Sequence, residues 1–238
     1  MTTVSEILAM LNLNRRDLNN VSLSQLETIF NDLTVKEISI LCAVNRRFNT
    51  VCENESFWRN KISRDYGIHK KYGDTWRKTA RNMDKINMIN LDGVWFDGRT
   101  YRKILDDALQ NGVDVFRGLQ EQYLLPYVDN DEDDALFIIF EVNDEKTLQN
   151  FANTFLDRPY TDDELDDILL INSVEIKVIY SAVRAYEGVK GRLPGDVLGT
   201  VSQATQSYEF LREMIDPILY VMQFSSFPRN KLDVPYKE

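Results

Sequence analysis

Between Leu23 and Phe48 the apolar residues recur at a spacing that only helices can use. Leu26, Ile29, Phe30 and Leu33 follow an i, i+3, i+4, i+7 rhythm, and a second set begins at Ile38 with Leu41, Cys42 and Phe48. Thr34 separates the two sets, and with Glu37 three residues later it spells a capping box, so a second helix starts there. A third segment centres on Phe57, Trp58 and Ile62, and a fourth on Trp76, Ala80 and Met83. Short helices with brief connections predict a small all-helical module over residues 21–86. Residues 1–20 read as a lead-in, with Val4, Ile7, Leu8 and Leu11 on one helical face and the asparagines 12, 14, 19 and 20 as a polar connection.

The pattern changes near residue 90. Gly93 and Gly98, with the acidic Asp92 and Asp97 between and beside them, interrupt the helical run and place a boundary near Ile86 to Gly93. Charge changes at the same place. Residues 1–86 hold 14 Lys+Arg against 10 Asp+Glu, a balance of +4, and residues 87–238 hold 14 against 28, a balance of -14. A mildly basic front and a strongly acidic back argue for two modules, and the acidic one would repel a phosphate backbone, so nucleic acid is not an expected partner.

In residues 90–238 the spacing predicts helices over Tyr101 to Leu109, around Leu148 to Phe155, after the capping box Thr161 to Glu164, and from about Ser202 to Ile215. Ala135 to Val142 is a compact apolar run behind an acidic turn, which suits a buried strand. Val174, Ile176, Val178 and Tyr180 alternate with polar Glu175 and Lys177, which suits a second strand. The expected fold class is therefore α+β, a small helical module followed by a larger mixed α/β domain.

Residues 21–58 carry the pattern that points to function. Leu26, Ile29-Phe30, Leu33, Glu37-Ile38, Leu41, Val44, Arg46-Arg47-Phe48, Val51 and Phe57-Trp58 stand, without a gap, at the spacings of the F-box consensus, and the chain resembles that family over residues 21–66. Where the family opens on Leu-Pro this chain has Val21-Ser22, and Asn45 stands where many members have Cys. The run from Phe57-Trp58 through Asp65-Tyr66-Gly67 to Thr75-Trp76-Arg77 also looks like an extension seen in F-box-like proteins of large DNA viruses.

The resemblance implies a protein-protein adaptor, not an enzyme. Its residues 21–66 would bind the Skp component of a cullin-based ubiquitin ligase, and residues 90–238 would present a protein target. The residues it implicates in partner binding are Val21, Ser22, Leu26, Ile29, Phe30, Leu33, Ile38, Leu41 and Trp58, with an apolar strip centred on Leu26 and Ile29 and with Trp58 as a large anchor. The altered Leu-Pro corner keeps a second reading open, a structural or host-interaction protein that retains the fold without engaging the ligase.

Other chemistry finds little footing. Cys42, Cys52 and His69 are too few for a tetrahedral zinc site, and the two cysteines are expected as reduced thiols of a cytoplasmic or nuclear protein. Asp129, Asp131 and Asp133 imitate a calcium loop, but Asp134 and Phe140 occupy the positions that need Gly and Glu. Gly188 to Gly199 lacks a phosphate-binding Gly-Lys-Ser/Thr, and His69 has no nucleophile partner in the sequence. No cofactor is expected. The apolar runs Ala135 to Phe140 and Ile218 to Met222 fall far short of a membrane span, and no export signal opens the chain. Basic residues Arg59, Lys61, Arg64, Lys70, Lys71, Arg77, Lys78 and Arg81 interleave with Trp58, Tyr66, Tyr72 and Trp76, a pattern whose plainer account is contact with acidic protein surface.

Overall fold

A computed structural model describes residues 4–10, 21–142, 144–156, 158–192, 216–229 and 231–232. The chain divides into two compact units, Met1–Leu91 and Asp92–Glu238.

The first unit is built from helices α1 (Val4–Met10), α2 (Leu23–Asn31), α3 (Val35–Val44), α4 (Arg46–Glu53), α5 (Glu55–Tyr66) and α6 (Trp76–Lys85). Each start from α2 onward is written in a polar side chain. Ser22 accepts from the Gln25 amide at 3.2 Å while Gln25 Oε1 accepts from the Ser22 amide at 2.9 Å, so α2 opens on a capping box that the sequence reading did not single out. Thr34 and Glu37 close the expected box at the head of α3. The second apolar set is two helices and not one, because Asn45 adopts extended backbone and its Oδ1 accepts from the Arg47 amide at 2.8 Å, which ends α3 and caps α4. Gly67, at φ 66°, supplies the left-handed residue that closes α5.

The core of this unit is aromatic. Phe30 meets Phe48 and Phe57 edge to face at centroid distances of 5.6 and 6.2 Å, and Phe57 meets Trp58 at 5.2 Å. Trp58 is wholly enclosed, and its indole N–H donates to the Cys52 carbonyl at 2.8 Å. Cys42 of α3 and Cys52 of α4 lie side by side in this core, with Cα atoms 6.3 Å apart. Lys61 is buried and satisfied by the Asn31 carbonyl at 3.1 Å and by Asp65 at 2.6 Å; burial lowers its ammonium from the usual lysine range, and Asp65 opposes that shift.

The second unit contains α7 (Tyr101–Asn111), α8 (Asp114–Leu124), a 3-10 turn (Leu125–Tyr127), α9 (Glu132–Glu141), α10 (Glu145–Phe155), α11 (Asp162–Ile171), α12 (Val174–Arg192) and α13 (Ile218–Ser225). The expected mixed α/β domain is corrected here: among the described residues the second unit is helical, and its β pairing is an isolated bridge between Val94 and Thr100 across the turn at Gly98. Ala135 to Val142 belongs to α9, where Asp131 caps the first turn and Glu132, Asp133 and Asp134 suit the positive end of the helix dipole. Its buried positions Ala135, Ile138, Ile139 and Val142 fall at helical spacing inside a run too uniformly apolar to show it. Val174 to Tyr180 belongs to α12, which packs against α7 and α13. Every residue from Ile176 to Val183 is buried, Lys177 included at 0 % exposure, so the alternation of polar and apolar residues was not a sheet's two faces. The expected helix from Ser202 to Ile215 lies outside the described residues.

Backbone carbonyls at the α11–α12 junction organise this unit. Trp95 donates its indole N–H to Leu170 and Ile171 at 3.1 and 3.3 Å, and Gln120 donates to Ile171 at 3.0 Å. The Asn172 amide donates to Ile138 and Val142, each at 3.0 Å, so the open carbonyl end of α9 is held by a side chain from the junction.

Candidate functional site

The implicated residues fall into two groups. Leu26, Phe30, Leu33, Ile38, Leu41 and Trp58 are all buried in the first unit. Leu26 points inward from α2, with Phe30 one turn on and Leu33 just beyond the helix, a core stripe at i, i+4, i+7. The strip expected on Leu26 and Ile29 is therefore corrected. Leu26 cannot meet a partner without unfolding the unit, and Trp58 is a core residue whose polar edge already has an acceptor.

The second group remains at the surface. Val21 and Ile29 are half-buried and Ser22 is exposed. Ser22, Gln25 and Ile29 stand at i, i+3, i+7, so they share a face of α2. Beside them Leu23, which the sequence reading passed over, holds 46 % of its surface open to water. Its spacing puts it in line with Leu26 and Phe30, so only its place in the first turn of the helix marked it off. Val21 and Leu23 leave apolar surface at the start of α2, Ile29 adds a half-buried residue in its last turn, and Arg47 fixes the corner by donating from Nη2 to the Val21 carbonyl at 2.6 Å. Chemically this surface can take apolar side chains of a partner and offer the Ser22 hydroxyl at its edge.

Part of the basic set around Trp58 to Arg81 is engaged within its own unit. Lys61 is buried, Arg64 donates to Asp65 and to the Asn31 carbonyl, and Lys78 pairs with Asp74 at 2.9 Å. Acidic side chains of the same unit thus neutralise part of the set, an account that needs no polyanion.

Asp131 of the calcium-like run is committed to the α9 cap. Among the described residues no group of three or more His, Cys, Asp or Glu side chains is placed to hold a metal ion, and no helix is long and apolar enough to cross a membrane. At Thr161 the capping box closes as spaced, and Arg158 clamps Glu164 with two 3.0 Å bonds, holding that carboxyl below the usual glutamate range.

No protein-family model, no curated protein and no solved structure matches the chain.

Proposed function

We propose that this chain is an F-box-type adaptor that binds the Skp component of a cullin-based ubiquitin ligase through its first unit and presents a protein target on its second. The observation that carries the reading is the division of labour within the resembling segment. The pattern's Leu26, Phe30, Leu33, Ile38, Leu41, Phe48 and Trp58 enclose one helical core, while Val21 and Leu23 keep apolar surface open at the start of α2, the corner at which the family meets its adaptor. The adaptor role requires no catalytic group in this chain, and it places the working compartment in the cytoplasm or nucleus.

Ser22 supports a second reading, a structural or host-interaction protein with an F-box-like fold. It occupies the family's proline position and is the N-cap of α2, so the corner is stabilised by a local capping box in place of the family's residue pair.

The deciding measurement is calorimetric titration of the chain with the purified Skp adaptor, repeated on the variant Val21→Leu/Ser22→Pro. Ser22 sits at φ -66°, which proline accepts, so the change removes a cap but forces no backbone shift. Wild-type binding that tightens in the variant supports the adaptor reading. Absence of affinity in both would leave the structural reading standing.

A further inference from the structure

Phe155, at the end of α10, is 63 % open to water. It does not stand alone. Phe155 packs on Phe151 at 5.1 Å, and Phe151 stacks at 5.5 Å on Phe137 of α9, itself 41 % open. The buried middle ring joins two exposed ones into a continuous apolar ladder across two helices. Keeping two phenyl rings in water forgoes on the order of 1 kcal/mol or more each, which is the signature of surface kept for contact.

Charge says what covers it. On α9 the neighbours of Phe137 one turn away are Asp133, Asp134 and Glu141, and the helix carries Glu132 besides and no Lys or Arg. Partial burial of Asp134, added to its crowding with Asp131 and Asp133, raises its carboxyl above the usual aspartate range, so like charges are held together in this turn. Of the cations nearby in sequence, Arg158 is committed to Glu164, Arg117 lies over the Phe140 ring at 4.5 Å, and Lys146 is nine residues from Phe155, on the opposite side of α10. The side chain of Asn172 pins the end of α9, so the ladder is presented by a fixed helix.

We propose that the Phe137–Phe151–Phe155 ladder and the acidic first turn of α9 form a docking surface for a basic amphipathic segment of a partner protein, its apolar anchors on the rings and its Lys or Arg side chains on Asp133 and Asp134. Pairing of this face with the same face of a second copy is disfavoured, since both would bring the charge of residues 87–238, a balance of -14. Anionic lipid and nucleic acid are disfavoured on the same ground. The proposal deepens the adaptor reading, for which this would be the target-carrying face, but its binding step does not require the ligase.

The test is fluorescence anisotropy of the full chain with short labelled amphipathic peptides in three forms: Leu, Phe or Trp anchors with Lys flanks, the same anchors with Glu flanks, and Ser in place of the anchors with Lys flanks. Only the anchored, Lys-flanked peptides should bind, and salt should weaken them. Phe137→Ser/Phe155→Ser should lower their affinity at least about tenfold. Asp133→Asn/Asp134→Asn should weaken binding and flatten its salt dependence, and circular dichroism should show both variants folded. Failure of every anchored Lys peptide to bind, equal binding of the Glu-flanked form, or affinity unchanged by the double Phe variant overturns the proposal. A concentration-dependent dimer lost in Phe155→Ser would assign the face to a second copy and overturn it too. Adaptor titration of the same variants separates the two readings: it should match wild type, and a chain that binds peptide but no adaptor loses the ligase reading alone.

Discussion

The guanidinium of Arg47, at the start of α4, donates at 2.6 Å to the carbonyl of Val21, the residue before the N-cap of α2. Twenty-six residues apart in sequence, the two fix where the proposed partner surface begins. The bond is charge-assisted and half-buried, so Arg47→Ala should lower stability by about 1 to 2 kcal/mol. Its effect on adaptor affinity should exceed what that loss of fold explains, since the corner itself loosens. Urea unfolding and calorimetric titration of one variant measure both, and an affinity unchanged in a folded variant would detach Arg47 from the site.

Leu26 and Leu23 make opposite predictions from neighbouring turns of one helix. Leu26 is wholly enclosed, so Leu26→Ala should cost about 2 to 5 kcal/mol and reduce adaptor binding only through unfolding. Leu23 stands half in water, so Leu23→Ala should leave stability within about 0.5 kcal/mol of wild type. If the adaptor seats on this corner, the same change weakens it about tenfold. Equal effects of Leu23→Ala and of an exposed change elsewhere on adaptor affinity would remove α2 from the interface.

The junction of the two units makes a third prediction. Leu91 donates its amide to the Tyr66 carbonyl at 3.1 Å, Met88 donates to Met83 at 3.0 Å, and Met88, Ile89 and Leu91 are buried. The stretch after α6 is thus held by the first unit to its last residue. Limited proteolysis should cut first between Leu91 and Trp95, where Asp92 and Val94 are exposed, and should spare Lys85 to Leu91. N-terminal sequencing of the fragments reads the position directly, and primary cleavage at Lys85 would contradict the packing described.

The helical front half was legible because its signals are local. Thr34 with Glu37 and Thr161 with Glu164 close the boxes their spacing spells, and the stripe Leu26, Phe30, Leu33 is the core stripe its rhythm predicts. In the second unit α7, α10 and α11 were legible in the same way, whereas α9 and α12 were not, for a physical reason. A helix surrounded by protein loses the polar face that reveals its period, so Ala135 to Val142 resembled a strand, and Lys177 suggested a wet face although it is wholly buried. The acids at Glu132 to Asp134, read as a turn, were the first turn of α9. Which apolar residues stay outside depends on packing across many residues, which is why Leu23, Phe137 and Phe155 escaped the sequence reading and Trp58 was taken for an anchor.

Alkaline solution supplies the last prediction. Burial pushes the Tyr101 phenol up to about 12 against the hydrogen bond it shares with Ser173, and burial with the Asp167 carboxylate pushes Tyr127 up to about 12, both from 10.0. Tyr66 and Tyr160 shift in the same direction, chiefly by burial. Between pH about 10 and about 12 the unfolded chain has lost these protons and the folded chain keeps them, so the unfolded state binds fewer protons and stability falls as pH rises. The contribution is fully present below pH about 10 and is lost through the folded value, on the order of 2 kcal/mol for Tyr101 alone. Lys61 acts oppositely: its folded value is lowered, so relief of its burial raises stability with pH below its unfolded 10.5. Four phenols outweigh one ammonium, and the net slope above pH about 10 should be negative. Urea midpoints and tyrosinate absorbance, followed together upward from pH about 9, measure it, and the phenol signal should appear with unfolding and not before. Tyr101→Phe should flatten the slope; a wild-type midpoint that does not fall, with all tyrosines ionising in the folded chain, would defeat the assignment.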